Sequence, residues 1–396
     1  MNVQNSNWNF PTTIWFGNGR IKEIIKACAH LNIQNPLFVT DEGLVNLDIV
    51  KTTTGLLRSE GIKFNIYSGV QGNPTGTNVL QGVAFYKKGG HDSVIAFGGG
   101  SALDAAKTIA FMSGQTRSLW DFEDIGDNWK LANADGIAPT IAVPTTAGTG
   151  SEVGRASVIL DEDDRSKKII FHPGMLPNLI ISDPELTVGL PPNITAWTGI
   201  DALVHALEAF CAPGYHPMSD GIAVEAIRII TKYLPIAVED GTDLEARGFM
   251  LTASSMAAVA FQKGLGSIHS IAHQLGAIYN IQHGLANSIL LPYGLEQNAS
   301  VIEDKMIYLS TILGLDEPGT NAMINYMLEL RKQLNIPNSL KEVDINDEHA
   351  VEIGRKAFND PSTTTNAKPV NAQDLQNLFS AAVEGKLDGF YSMADK

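Results

Sequence analysis

Thiol is nearly absent. Two cysteines, Cys28 and Cys211, stand far apart in 396 residues with no CxxC pair. This excludes a disulfide framework and a thiolate zinc site, and it suits a reducing compartment. Positive charge is also scarce: 28 Lys and Arg face 43 Asp and Glu, a net charge of −15, and no basic run interrupts the deficit. Nucleic acid and anionic membrane surfaces both demand clustered cations, so neither partner is expected. No apolar stretch reaches the roughly 18–20 residues that cross a bilayer. The opening MNVQNSNWNF has neither the basic nor the apolar region of a secretory signal. A soluble, cytoplasmic protein is expected.

What is present divides into two textures. With 44% hydrophobic and 18% charged residues, the chain has ample core for two or three domains. In the first half, PLFVTD, IKFNIYSG, DSVIAFGGG, IAPTIAVPTT and LPNLIISDP read as strands that end in turn residues. IKEIIKACAH and ALDAAKTIAF read as helices between them. Such alternation predicts a parallel, Rossmann-like α/β sheet covered on both faces. After about residue 190 only helix-like segments follow, among them ITAWTGIDALVHALEAF and SDGIAVEAIRIITKYLPIAV. The prolines of GLPPN, at 189–193, can stop one element and start a helix. The expected layout is an α/β domain over residues 1–188 and an all-α domain over 189–396. PSTTTNAKPVNAQD, at 361–374, reads as a polar loop before the last helix.

Two loops of the first half suit phosphate. SVIAF runs through Gly98, Gly99, Gly100 and Ser101 into ALDAAKTIA, a strand opening through glycines onto a helix start. Glycine allows close approach, and the helix N-terminus offers N–H groups and partial positive charge. Ser101 can cap that helix or donate a hydrogen bond, and Asp104 one turn on is a further cofactor candidate. The second loop, PTTAGTGSE, brings the hydroxyls of Thr145, Thr146, Thr149 and Ser151. Taken alone, either loop is as readily a tight turn. Together, at the carboxyl ends of parallel strands, they mark where a dinucleotide binds. Asp41 ends PLFVTD, where its carboxylate could accept from an adenosine ribose and repel a 2′-phosphate, which favours NAD over NADP.

The second half concentrates imidazole. GLGSIHSIAHQLGAIYNIQHG holds three of the nine histidines: His269 and His273, four apart on one helical face, and His283 beyond an apolar run. TGIDALVHALEAF places Asp201 and His205 four apart as well, among apolar neighbours, where an ionised carboxylate needs compensation. An Asp–His hydrogen bond would provide it, and so would a metal. Glu208 lies on the same side, in a supporting or surface role. With His269 and either His273 or His283, the set is one carboxylate and imidazoles without thiolate, suited to Fe(II), Zn(II), Co(II) or Mn(II).

GGGSALDAAK, PTTAGTGSE, GIDALVHALE and HSIAHQLGAIYNIQHG, in this order, resemble the iron-containing (group III) alcohol dehydrogenases. The likeness runs from FPTTIWFGNG through NPT and DPELTVGLP to DPSTTTNAKPV, essentially the whole chain. It implies an NAD(P)-dependent dehydrogenase with a cleft between a nucleotide domain and a helical metal domain. It further implies Fe(II), with Zn(II) as the alternative, a small alcohol or aldehyde substrate, and a homodimer or larger homo-oligomer. By motif, Asp201, His205, His269 and His283 would be the ligands and His273 the free histidine, as proton relay or substrate positioner. Asp41, Asn73, Gly100, Ser101, Thr145, Thr146 and Lys167 match cofactor positions, and Leu186 and Gly189 match more weakly. Gly154 stands where the family has Thr or Ser, Gln282 where it has proline before the last histidine, and Lys168 adjoins Lys167. A metal-dependent hydrolase or lyase on a phosphorylated small molecule is the alternative function.

Overall fold

The structure, a computed structural model, describes Ser6–Trp8 and residues 12–387; the rest of the opening segment, with Phe10 and Pro11 of FPTTIWFGNG, lies outside the described residues. Contacts divide the chain into two units, Met1–Leu190 with Thr242–Leu251, and Pro191–Gly241 with Thr252–Lys396. The division falls at Leu190–Pro191, two residues beyond the expected boundary. The returning segment goes with the first unit because Arg247 is buried there and donates to the Leu190 carbonyl.

In the first unit the chain runs β1 (Ser6–Trp8), β2 (Thr13–Phe16), α1 (Ile24–His30), β3 (Pro36–Asp41), α2 (Asp48–Ser59) and β4 (Asn65–Val70). It continues through α3 (Gly76–Gly89), β5 (Ser93–Gly98), α4 (Gly100–Met112), β6 (Thr140–Pro144), β7 (Ala156–Asp161), β8 (Ser166–Phe171) and β9 (Leu179–Ser182). Seven strands form one sheet in the order β1-β2-β9-β6-β5-β3-β4, parallel except for the β1–β2 pair. β5, β6 and β9 are buried at every position, as strands covered on both faces must be. All five strands read from the sequence form. The sequence reading omitted β1, β2 and the antiparallel hairpin β7–β8, along with α2 and α3. The hairpin escaped because it is half-exposed: SKKIIF buries only Ile170 fully, so its apolar signal is thin.

The sheet topology makes a site at the strand ends. β4 and β5 flank β3 on opposite sides, so the strand order reverses at the β3/β5 crevice. Val39 pairs with Ala96 and Gly98 with Pro144. Asp41 is thus level with Gly98, and Gly98 stands beside the start of PTTAGTGSE.

α4 also holds that second loop in shape. Lys107 is buried, and its ammonium donates to the carbonyls of Ser151 (2.9 Å) and Ala156 (2.5 Å). Burial pushes its pKa down. Asp104 accepts from Ser151 Oγ and, at 2.9 Å, from the Val158 N–H. The two carboxylate oxygens of Asp104 thus tie α4 to the loop and to β7, which is the geometry of a brace.

The second unit is helical throughout its described residues: α5 (Pro192–Cys211), α6 (Pro217–Glu239), α7 (Leu244–Ala260, begun in the first unit), α8 (Ser267–Tyr279), α9 (His283–Ile312), α10 (Thr320–Gln333), α11 (Ala350–Phe358) and α12 (Ala372–Glu384). Pro192 opens α5 as its first helical residue, where its missing N–H has no cost. Among the described residues no helix is long and apolar enough to cross a membrane.

Removing the brace should loosen the first unit. Lys107→Met removes the ammonium's bonds to the Ser151 and Ala156 carbonyls, at a cost of about 1–3 kcal/mol. Urea unfolding should show a midpoint clearly below wild type; an unchanged midpoint would mean that water or another donor replaces the ammonium.

Candidate metal centre and nucleotide loops

The glycine loop presents backbone at the start of α4. Gly99 is the N-cap of α4 and no side chain caps it, so the first N–H groups of the helix are not taken by a capping side chain. Ser101 is inside the helix, and its hydroxyl donates to the Gly72 carbonyl, next to Asn73. Ser101 does not cap α4. Gly98 carries the left-handed backbone, at φ 148°, while Gly99 is at −76°. A side chain at Gly100 would lie 2.3 Å from Thr149 Cγ2, and one at Gly99 would lie 3.2 Å from Thr146 Cγ2. The two loops therefore touch each other. The Thr145 N–H donates to the Gly98 carbonyl at 3.0 Å, and Thr149 Oγ1 accepts from the Ser151 N–H.

Asp41 Oδ1 accepts from the Leu44 N–H at 2.9 Å, while Oδ2 lies on the Gly98 side. Burial pushes its carboxyl above the ordinary range. Lys168 is committed to Asp161 (2.6 Å) and Asp164 (3.1 Å) with its ammonium over Trp120. Lys167, adjacent on the strand, takes the opposite face of β8 and remains the candidate of the two. The Leu186 side chain belongs to the hydrophobic core, so it offers at most backbone to a ligand. Gly189 faces open space. Gly154 has room for a Cβ, its nearest neighbour being the Ser151 carbonyl at 3.5 Å; its hydroxyl is simply absent.

In the second unit Asp201, His205, His269 and His283 converge, each offering one donor atom within 4.8 Å of every other. Asp201 Oδ1 stands 4.0 Å from His205 Nε2, 3.9 Å from His269 Nε2 and 3.6 Å from His283 Nε2. Donors around a four-coordinate ion at about 2.1 Å stand about 3.4 Å apart. The Asp201 pairs are within a few tenths of an ångström of that spacing, and the donor set suits a borderline divalent ion.

Local structure explains the convergence. α5 presents Asp201, His205 and Glu208 on one face. α8 ends at Asn280, in the left-handed conformation, and the chain reverses into α9, bringing His283 back toward His269. Gly284 permits this: a Cβ there would lie 2.4 Å from the Trp197 carbonyl oxygen on α5. Gln282 sits at φ −63°, as a proline would, and instead caps α9 by accepting from the Leu285 N–H at 2.7 Å. The departure from the family pattern therefore keeps the helix start.

Each of the α8 imidazoles has a carboxylate partner. His269 Nδ1 donates to Glu208 Oε2 at 2.6 Å, and Glu208 Oε1 accepts from the Ile268 N–H. Burial alone would lower the His269 pKa; Glu208, with Asp201 and Asp360, holds it above the ordinary value. His273 is outside the cluster. Its ring stacks on His283 with centroids 5.5 Å apart, and its Nδ1 donates to Asp360 at 2.9 Å. Burial works against the Asp360 charge, but His273 and the Ser362 N–H outweigh it and hold that carboxyl low.

Asp360 opens the segment expected as a plain polar loop. Pro361–Thr365 instead form a 3₁₀ turn, and Thr365 and Asn366 bind Leu265 and Ser267 at the start of α8. Sequence reasoning missed Asp360 and Asn287. Asn287 had a signal, four residues after His283 on one helical face; Asp360 had none, its partner being 87 residues distant.

Residues 11–184 match the family model of the iron-containing alcohol dehydrogenases, and residues 195–383 match the C-terminal model of the Fe-containing alcohol dehydrogenase family. The NAD-dependent methanol dehydrogenase of Bacillus methanolicus is 32% identical over 385 residues, 96% of this chain and 100% of that protein. The crystal structure of a 1,3-propanediol oxidoreductase superposes with a TM-score of 0.89 at 32% identity, over 96% of this chain and 100% of that one. A sulfoacetaldehyde reductase from Bifidobacterium kashiwanohense, solved with NAD⁺, gives a TM-score of 0.84 at 29% identity, over 98% and 100%.

The close approach of α9 to α5 is directly testable. Gly284→Ala should push the helices apart, cost about 1–3 kcal/mol and move His283 off Asp201. Metal content by elemental analysis should fall with the melting temperature. Gly221→Ala, where a Cβ meets nothing within 4 Å, serves as control. Full metal content in Gly284→Ala would refute the argument.

Proposed function

The chain belongs to the iron-containing alcohol dehydrogenase family, and from that premise we propose which of its residues perform the reaction. The enzyme is an NAD- and metal-dependent oxidoreductase of alcohols and aldehydes. We assign dinucleotide binding to the first unit and metal and alcohol binding to the second. Asp201, His205, His269 and His283 hold the metal. Asp41, Asn73, Gly99, Gly100, Ser101, Thr145, Thr146, Thr149 and Lys167 surround the cofactor, with Leu186 and Gly189 contributing through backbone and Asp104 bracing from behind. The single observation that carries the metal assignment is the convergence of one buried carboxylate and three imidazoles from α5, α8 and the start of α9. A primary alcohol or its aldehyde is the substrate proposed. The scarcity of cysteine supports a cytoplasmic setting, and the family resemblance supports a homodimer or larger homo-oligomer. Hydrolysis or elimination on a phosphorylated substrate is not favoured, because the matched relatives span the whole chain and include NAD-dependent dehydrogenases.

When bound, divalent iron supplies Lewis acidity of the kind that lowers the pKa of water from about 15.7 to about 7, on the order of 12 kcal/mol, and NAD supplies the hydride acceptor. A general base contributes about 10²–10⁴-fold, roughly 3–5 kcal/mol. His273 therefore has the smaller share. Asp360 fixes its Nδ1–H, which leaves Nε2 with a lone pair to take the hydroxyl proton of the alcohol. Glu208 does the same for His269, turning its Nε2 toward Asp201.

Two alanine variants test the division between histidines. His283→Ala should lose metal affinity and activity, with partial recovery in excess Fe(II) or Zn(II). His273→Ala should keep near-stoichiometric metal and lose about 10- to 10³-fold in kcat, unrepaired by metal. A metal-free His273→Ala beside a loaded His283→Ala would reverse the assignment.

Asp41 predicts cofactor choice. The wild type should prefer NAD⁺ to NADP⁺, and Asp41→Gly should raise relative use of NADP⁺ in steady-state kinetics. A wild-type preference for NADP⁺ would remove Asp41 from the ribose site.

A further inference from the structure

Asn287 is fully buried on α9, one turn beyond His283. Its Nδ2 stands 2.6 Å from Asp201 Oδ1, 3.1 Å from His269 Nε2 and 3.2 Å from His283 Nε2. One amide thus faces three of the four donor atoms, while its own Oδ1 is buried with no hydrogen-bond partner. Buried amides in a purely structural role are ordinarily bonded at both ends. This one is bonded only toward the cluster, and its shortest bond is to the Asp201 oxygen that lies 3.6–4.0 Å from the three imidazole nitrogens.

The position is one where aspartate, the same shape with a negative charge, would add a second anionic donor. Asparagine keeps the set at one carboxylate and three neutral imidazoles. Around a divalent ion that set leaves one net positive charge, whereas a second carboxylate would cancel it. The amide N–H also fixes the direction of the Asp201 oxygen, as outer-shell partners of metal ligands do. Its neutrality leaves a bound ion more electrophilic and less firmly held than a second carboxylate would.

We propose that Asn287 is a positioning and tuning residue of the metal centre: it binds the donor oxygen of Asp201 and, by being neutral, sets the balance between grip on the metal and Lewis acidity. The inference rests on the ligand set assigned above. Asn287→Asp should hold Zn(II) about tenfold or more tighter than wild type in competition with a chromophoric chelator, and lower kcat by a similar factor. Asn287→Leu removes the bond to Asp201 and adds no charge, so it should hold Zn(II) about tenfold more weakly. A merely structural amide would predict weaker binding in both variants.

The measurement uses the full chain loaded with Zn(II), and Co(II)-loaded samples report coordination through their visible absorption. Tighter binding and an altered Co(II) spectrum in Asn287→Asp, with weaker binding in Asn287→Leu, support the proposal. Asn287→Asp binding no tighter than wild type overturns it, as does equal tightening in both variants. If Asn287→Asp is recovered only in loaded form, the rate of zinc release into excess chelator is read instead: slower release supports, equal or faster release overturns. A wild type without stoichiometric metal would sink the ligand set itself, a result distinct from a wild type that holds metal while Asn287→Asp shows no gain.

Discussion

Burial of the Asp201 carboxylate is the constraint from which the second unit follows. At 2% exposure in the middle of an apolar helix, an ionised carboxylate is costly unless positive charge or several donors meet it. Among the described residues no lysine or arginine forms an ion pair with it. The groups that face it are three imidazole nitrogens and one amide. Imidazole can compensate a carboxylate by protonation or by sharing a cation with it, and the second path uses all three rings at once. The packing serves that outcome: glycine at 284 lets α9 abut α5, and the break at Asn280 reverses the chain.

The carboxylates one step further out extend the same logic. Glu208 and Asp360 each fix the Nδ1–H of one α8 imidazole, so each ring presents Nε2 with its lone pair available. Neither acid is near its imidazole by accident of packing. Glu208 also accepts from the Ile268 N–H at the first turn of α8, where negative charge is favoured. Asp360 is braced by the Ser362 N–H on a strap that Asn366 ties to Ser267 and to Asn298. The strap makes a residue 87 positions away part of the site.

What the sequence made legible was whatever follows from local periodicity or short motifs. Five strands, the glycine-rich turns and the helical second half were readable because each signal fits within about 20 residues. Asp201 and His205 were readable because four-residue spacing places both on one face. Histidine choice was not readable from spacing, because His269 and His273 share a face and His283 reaches the cluster only through a chain reversal. The hairpin β7–β8 was hidden by its adjacent lysines and acidic turn, and its packing gives it meaning only against α4. The bracing bonds of Asp104 were hidden for a related reason: a carboxylate one turn into a glycine-loop helix reads the same whether it faces a ligand or a neighbouring loop.

The net charge of −15 constrains how this chain could bind a dinucleotide that is itself anionic. A surface of lysines is not available, so beyond the one lysine proposed at the site, Lys167, the attraction must be local and must come from groups without net charge. The structure supplies such groups: the helix start at Gly99 without a capping side chain, the touching loop of threonines, and Ser101 tied to the loop that carries Asn73. Lys107, the cation nearest the glycine loop in sequence, is turned away and buried against the carbonyls of Ser151 and Ala156. It shapes the loop instead of meeting a phosphate. Backbone N–H groups held in fixed directions need close approach, and close approach needs glycine at 98, 99 and 100. In an acidic chain, then, the glycine loop is the consequence of having no cations to spare, just as the histidine cluster is the consequence of a carboxylate with no lysine to meet it.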